Sequence, residues 1–191
     1  MKNTGFILKL AAILFAIAFV CSLILVVCNN VTEPVILKLQ EETEEAAKKD
    51  VLPEADGGFE EITAIKAEGI TNIYSGKDKN GNIVGYCFKA DPSGFGGKVQ
   101  LIVGINANGE VTGVNITEMS ETPGLGANAN NKEWLSQFMG KNGEITVVKT
   151  GNAKDNEINA ISGATITSKA VSKGVNNALN AANQLFGKEA K

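Results

Sequence analysis

The 191-residue chain contains no histidine and no arginine, so all 18 of its basic residues are lysine. Ser-His-Asp and Cys-His catalysis are therefore excluded within it, which makes a bound cofactor the natural carrier of any chemistry at this chain. Aromatic residues make up only 6% of the sequence, which leaves no stacking platform for bases. The lysines are scattered and the net charge is −3, so there is no electrostatic footprint for nucleic acid. Of the three cysteines, Cys21 and Cys28 fall in an apolar stretch and Cys87 stands alone in a strand-like run. No disulfide framework, CxxC pair or Cys/His cluster follows from that spacing, which removes zinc and iron–sulfur sites as well. Cys87 reads as a packing residue.

What the chain does have is one long hydrophobic run. Residues 6–28 are apolar apart from Lys9 and Ser22, long enough to cross the hydrocarbon core of a bilayer. Lys2 and Lys9 lie at its start, whereas Glu33, Lys38 and the acidic Glu41-Glu42-Thr43-Glu44-Glu45 follow it. The positive-inside rule then keeps the N-terminus in the cytoplasm and exports the rest. A cleaved signal peptide would need a shorter apolar region and an Ala-x-Ala-like site. A lipid anchor on Cys28 would need small residues where Val26-Val27 stand. An uncleaved signal anchor of the cytoplasmic (inner) membrane is the reading that remains. It divides the chain into a cytoplasmic N-terminus (1–5), a membrane helix (6–28), a membrane-proximal stalk (29–56) and an exported domain (57–191).

Residues 35–50 are rich in Glu, Lys and Ala; they read as a helix or solvated spacer that Pro53 stops. Beyond Asp56-Gly57-Gly58, short β-branched runs at 70–74, 83–89, 98–106 and 110–117 read as strands. Asn80-Gly81 and Asn108-Gly109 between them suit tight hairpins. A helix is expected at 131–139 with Trp134, Leu135 and Phe138 on one face, a strand at 145–149, and a helix at 168–186. The fold class is α+β, an antiparallel sheet with flanking helices.

Three loops of small residues stand out. The first, Pro92-Ser93-Gly94-Phe95-Gly96-Gly97, allows close backbone approach beside a flat apolar ring. In the second, Ser120-Glu121-Thr122-Pro123-Gly124-Leu125-Gly126, Pro-Gly suits a type II turn, and Glu121 and Thr122 supply an acceptor and a hydroxyl. The third is Ser162-Gly163-Ala164-Thr165-Ile166-Thr167-Ser168, ahead of a helix. Hydroxyls beside the N–H groups of a helix start suit a phosphate, although Thr165 or Thr167 could equally be a helix cap.

These residues resemble the FMN-binding domain family, in particular the G subunits of Rnf-type ion-translocating ferredoxin:NAD oxidoreductases. The family's flavinylation motif is Asp, two variable residues, Ser or Thr, then Gly-Ala-Thr. It reads here Asn159-Ala160-Ile161-Ser162-Gly163-Ala164-Thr165, with Asn159 in place of the usual Asp. Glu121-Thr122-Pro123-Gly124-Leu125-Gly126, Ser93-Gly94-Phe95-Gly96-Gly97 and Val51-Leu52-Pro53 agree with further family signatures. Ser120 stands where His is expected, and Phe95 replaces a frequent Tyr. The resemblance implies FMN joined to Thr165 by a phosphoester, attached by a separate flavin transferase that uses FAD. It implies flavin contacts from Ser162, Gly163, Ala164, Thr167, Ser168, Glu121, Thr122, Gly124, Leu125, Gly126, Phe95, Gly96 and Gly97, and no metal.

The function so implied is an electron carrier in a cation-translocating membrane complex, whose iron–sulfur, second flavin and nucleotide-binding subunits are partners. A C-type subunit of sodium-pumping NADH:quinone reductase and a stand-alone extracytoplasmic flavin reductase are the alternatives. A non-redox surface or assembly protein, with Ser-Gly-Ala-Thr as a mere cap, stands behind them.

Overall fold

The computed structural model describes residues 4–63, 66–149 and 151–189; Lys2 lies outside these. A first helix, α1, runs Thr4–Val51. It is long and apolar enough to cross a membrane by length and composition. Two compact units divide the chain within this helix, the first ending at Glu42 and the second beginning at Thr43.

In the second unit, β1 (Gly58–Glu61), β2 (Ile70–Lys77), β3 (Ile83–Ala90), β4 (Val99–Asn106) and β5 (Val111–Met119) form a five-stranded sheet in sequential order. Every pairing in it is antiparallel. The expected hairpins close β2–β3 and β4–β5. Only their glycines take the left-handed conformation, Gly81 at φ 84° and Gly109 at φ 80°. The side chains of Asp78 and Asn106 instead accept turn N–H groups, at 2.8 Å from Asn80 and 3.0 Å from Asn108. The expected helix at 131–139 is two short pieces, α2 (Lys132–Leu135) and a 3-10 turn at Ser136–Phe138. Its face is as expected, with Leu135 and Phe138 buried and Trp134 edge-on to Phe138 at 5.5 Å. Two short strands, β6 (Thr146–Val148) and β7 (Glu157–Asn159), pair in parallel. They lead into α3 (Thr165–Glu189).

Alternation along β3 and β4 sends Tyr86, Phe88, Leu101, Val103 and Ile105 to one face, where Val171, Val175, Ala178, Leu179 and Ala182 of α3 cover them. The other face is covered too, and here the solvated-spacer expectation fails. Ala47, Val51, Leu52 and Ala55 are buried against Cys87 and Ile102. The end of the supposed stalk therefore belongs to the domain. A track of glycines across the sheet makes room for it. A Cβ on Gly76 would lie 2.6 Å from Leu52, on Gly104 2.4 Å from the Val51 carbonyl oxygen, and on Gly113 3.0 Å from Val51 Cα. Polar contacts fasten the same segment. Thr112 donates its hydroxyl to Val51 O at 2.5 Å, Tyr74 donates to Glu44 at 2.6 Å, and Lys89 pairs with Glu44. Lys48 lies over the Tyr74 ring at 4.1 Å. Burial pushes the Cys87 thiol up to about 12, in keeping with a packing role.

Because its backbone neighbour cannot move aside, Gly104→Ala is expected to destabilise the domain by about 1–3 kcal/mol. Denaturant unfolding of the full chain in detergent would show this; an unchanged midpoint would mean that the helix end is not seated as described.

Candidate functional site

The three small-residue loops meet around one cavity of about 340 Å³, which is within the size range of ligand pockets. Phe95, Glu121, Thr122, Leu125, Gly126, Gly163, Ala164, Thr165, Ile166 and Thr167 line it. Each loop is shaped by its own sequence. The first caps the β3–β4 connection, closed by Val99 N–H to Pro92 O at 2.9 Å and Gly94 N–H to Gly97 O at 2.7 Å. In the second, Leu125 N–H donates to Thr122 O at 3.1 Å and Gly124 has φ 77°. That is the type II turn expected of Pro123-Gly124. In the third, Gly163 at φ 75° turns the chain out of β7, and Ala164 N–H donates to Ile161 O at 3.0 Å.

Helix α3 begins at Thr165, three residues earlier than expected, so Ala164 occupies the cap position and contributes no side-chain oxygen. Capping by Thr165 or Thr167 is thereby excluded, since both lie inside the first turn. Ser168 N–H makes the first intrahelical bond, to Ala164 O at 3.0 Å. The N–H groups of Thr165, Ile166 and Thr167 precede it and have no intrahelical acceptor. This helix start offers a half-buried hydroxyl, backbone donors and the positive end of a 25-residue helix dipole. Among the described residues no lysine lines the cavity.

Glu121 joins the loops. The residue is 9% exposed. Oε1 accepts from Phe95 N–H at 2.8 Å and Gly96 N–H at 3.2 Å, while Oε2 accepts from the Thr167 hydroxyl at 3.0 Å. Glycine is required around it: a Cβ on Gly94 would fall 2.2 Å from Oε1, and one on Gly126 would fall 2.4 Å from Oε2. At the mouth, Phe95 (71%), Ile166 (55%) and Leu125 (45%) are unusually exposed apolar groups.

Several expected contact residues stand off the cavity wall. Gly96 contributes its N–H to Glu121, and Gly97 accepts the turn bond of its own loop. Gly124 supplies the turn conformation, and Ser162 is exposed. Ser168 is fully buried, where its hydroxyl donates to Ala164 O at 2.9 Å and accepts from Ile161 N–H at 3.0 Å. It braces the turn rather than facing a ligand. Ile166 was missed, although an apolar residue between two hydroxyls in the first turn of a helix could have marked it. Asn159 ends β7 with its backbone N–H on Gln137 Oε1 and its carbonyl accepting from Trp134 Nε1, each at 2.8 Å. Its side-chain Oδ1 is buried without a hydrogen-bond partner.

A cavity bounded by glycine turns, an exposed aromatic ring and a helix start bearing a hydroxyl defines a binding domain for a phosphate-bearing planar cofactor. Comparison with known proteins agrees: a family model described as the FMN-binding domain matches residues 94–180. The G subunit of the Na(+)-translocating ferredoxin:NAD(+) oxidoreductase complex of Acetobacterium woodii is 43% identical, covering 89% of this chain and 88% of its own. The G subunit of the ion-translocating oxidoreductase complex of Methanosarcina acetivorans is 32% identical over 94% of this chain and 96% of its own. Among solved structures, Shewanella oneidensis NqrC superposes with a TM-score of 0.55 at 22% identity, over 63% of this chain and 61% of that one. That likeness concerns the fold. The chain belongs to the FMN-binding domain family, among the G subunits of ion-translocating oxidoreductase complexes.

Ser168→Ala leaves Ile161 N–H unpaired and is expected to cost about 1–3 kcal/mol. Denaturant unfolding measures it; a loss within error would make the brace dispensable.

Proposed function

We propose that this chain is the electron-carrier subunit of a membrane-bound, ion-translocating ferredoxin:NAD oxidoreductase of the Rnf type, and that it carries FMN as a phosphoester on Thr165. The observation that carries this reading is the position of Thr165, first residue of α3 and part of the cavity wall. The residues present fit the cofactor. The first-turn N–H groups of α3 suit its phosphate, and Phe95 and Leu125 offer apolar surface to its ring.

With no arginine in the chain and, among the described residues, no lysine in the cavity wall, a phosphate there lacks a paired cation. A covalent bond answers that weakness, and it suits a domain held outside the cytoplasm. In the attachment step Thr165 Oγ1 bonds to the phosphorus of the FMN half of FAD. The pyrophosphate linkage breaks, AMP leaves, and the hydroxyl proton is released. A separate flavin transferase performs this step. Bound FMN supplies the redox chemistry that the side chains lack, exchanging electrons between one- and two-electron partners. Those partners are the iron–sulfur, second flavin and nucleotide-binding subunits of the complex. Residues 6–28 span the cytoplasmic membrane once, with the N-terminus inside and the flavin domain outside.

In-gel flavin fluorescence tests this reading on the full chain co-expressed with a flavin transferase. A fluorescent wild-type band that is lost in Thr165→Ala is expected. A dark wild-type band, or a fluorescent Thr165→Ala band, would contradict it.

A further inference from the structure

We propose that Glu121 is the positioning residue of this site, pinning its three loops around the cavity and setting the flavin's reduction potential with its charge. The inference rests on the flavin reading above. Sequence places residues 92–97, 120–126 and 165–167 far apart, and one carboxylate carried by the second bonds to the other two. Each of its oxygens is met by a donor, at 2.8 and 3.2 Å on Oε1 and 3.0 Å on Oε2. Among the described residues no ion pair includes it. The carboxylate is thus held by backbone and hydroxyl dipoles alone, in a cradle that only glycine at 94 and 126 leaves open. It lines the same cavity as Thr165.

A fixed negative charge in a buried part of the wall opposes the arrival of further negative charge on a neighbouring group, so reduction of a flavin held there is disfavoured. The stitch and the charge can be separated. In Glu121→Gln the amide oxygen can still accept from Phe95 and Gly96, and the amide nitrogen can donate to Thr167, whose hydroxyl serves either way. In Glu121→Ala all three bonds go.

The stitch is read without flavin, by hydrogen exchange at the Phe95 and Gly96 amides of full-length protein made without the transferase. Protection in wild type and Glu121→Gln, with its loss in Glu121→Ala, is expected. Equal exchange in all three overturns the stitch. The charge is read on protein co-expressed with the transferase, as the midpoint potential from a redox titration. The flavin that Glu121→Gln carries is expected to titrate at a more positive potential than that of wild type. An unchanged potential overturns the charge role, as does a folded Glu121→Gln that takes no flavin. A wild-type chain that takes no flavin sinks the function reading and this charge role with it, while the exchange result still decides the stitch by itself.

Discussion

The site depends on a buried carboxylate that, among the described residues, meets its donors without a counter-ion. Glu121 takes two N–H groups from one glycine turn and a hydroxyl from the first turn of α3, while itself lying at the head of a second turn. Burying such a group without full hydrogen bonding is costly. The glycines at 94 and 126 thus follow from the carboxylate, since any larger residue would occupy its space. The cavity is what remains between three loops tied to one point.

A second constraint acts on the opposite side of the sheet. The end of α1 and the residues after it sit on a glycine track, so the sheet is sandwiched between this segment and α3. Val51 and Leu52 are 1% exposed, as deeply buried as much of the main core. This segment is thereby a structural layer of the domain, whose compact unit starts at Thr43. For a carrier tethered at a membrane, residues 29–42 are then all of the chain that separates the proposed span from the domain's own packing.

Much of this was legible in the sequence. Strands β2–β5 fall on the short β-branched runs, the two Asn-Gly hairpins fall where expected, and the Pro123-Gly124 turn has the geometry its residues require. The expectations that failed did so for physical reasons. Residues 43–51 look solvated because Glu and Lys dominate them. Their burial is confined to Ala47, Val51 and the ring-covered Lys48, and the glycines that receive them are scattered over β2–β5. Strands β1 and β7 span only 4 and 3 residues, too few for periodicity to show. Helix α3 was placed too late because Thr165 and Thr167 resemble caps, whereas the cap position is held by Ala164. Within the site, the convergence of the loops was readable from their shared small residues. The bonding of Glu121 to Thr167, and the bracing role of Ser168, depend on tertiary contacts that no spacing reveals.

The central claim is the bond at Thr165, and peptide mass spectrometry of the full chain, co-expressed with a flavin transferase and then denatured and digested, tests it most directly. The peptide containing Thr165 is expected to carry the mass of FMN less water, with fragmentation placing it on that residue. Flavin released free on denaturation, or found on another residue, would contradict it.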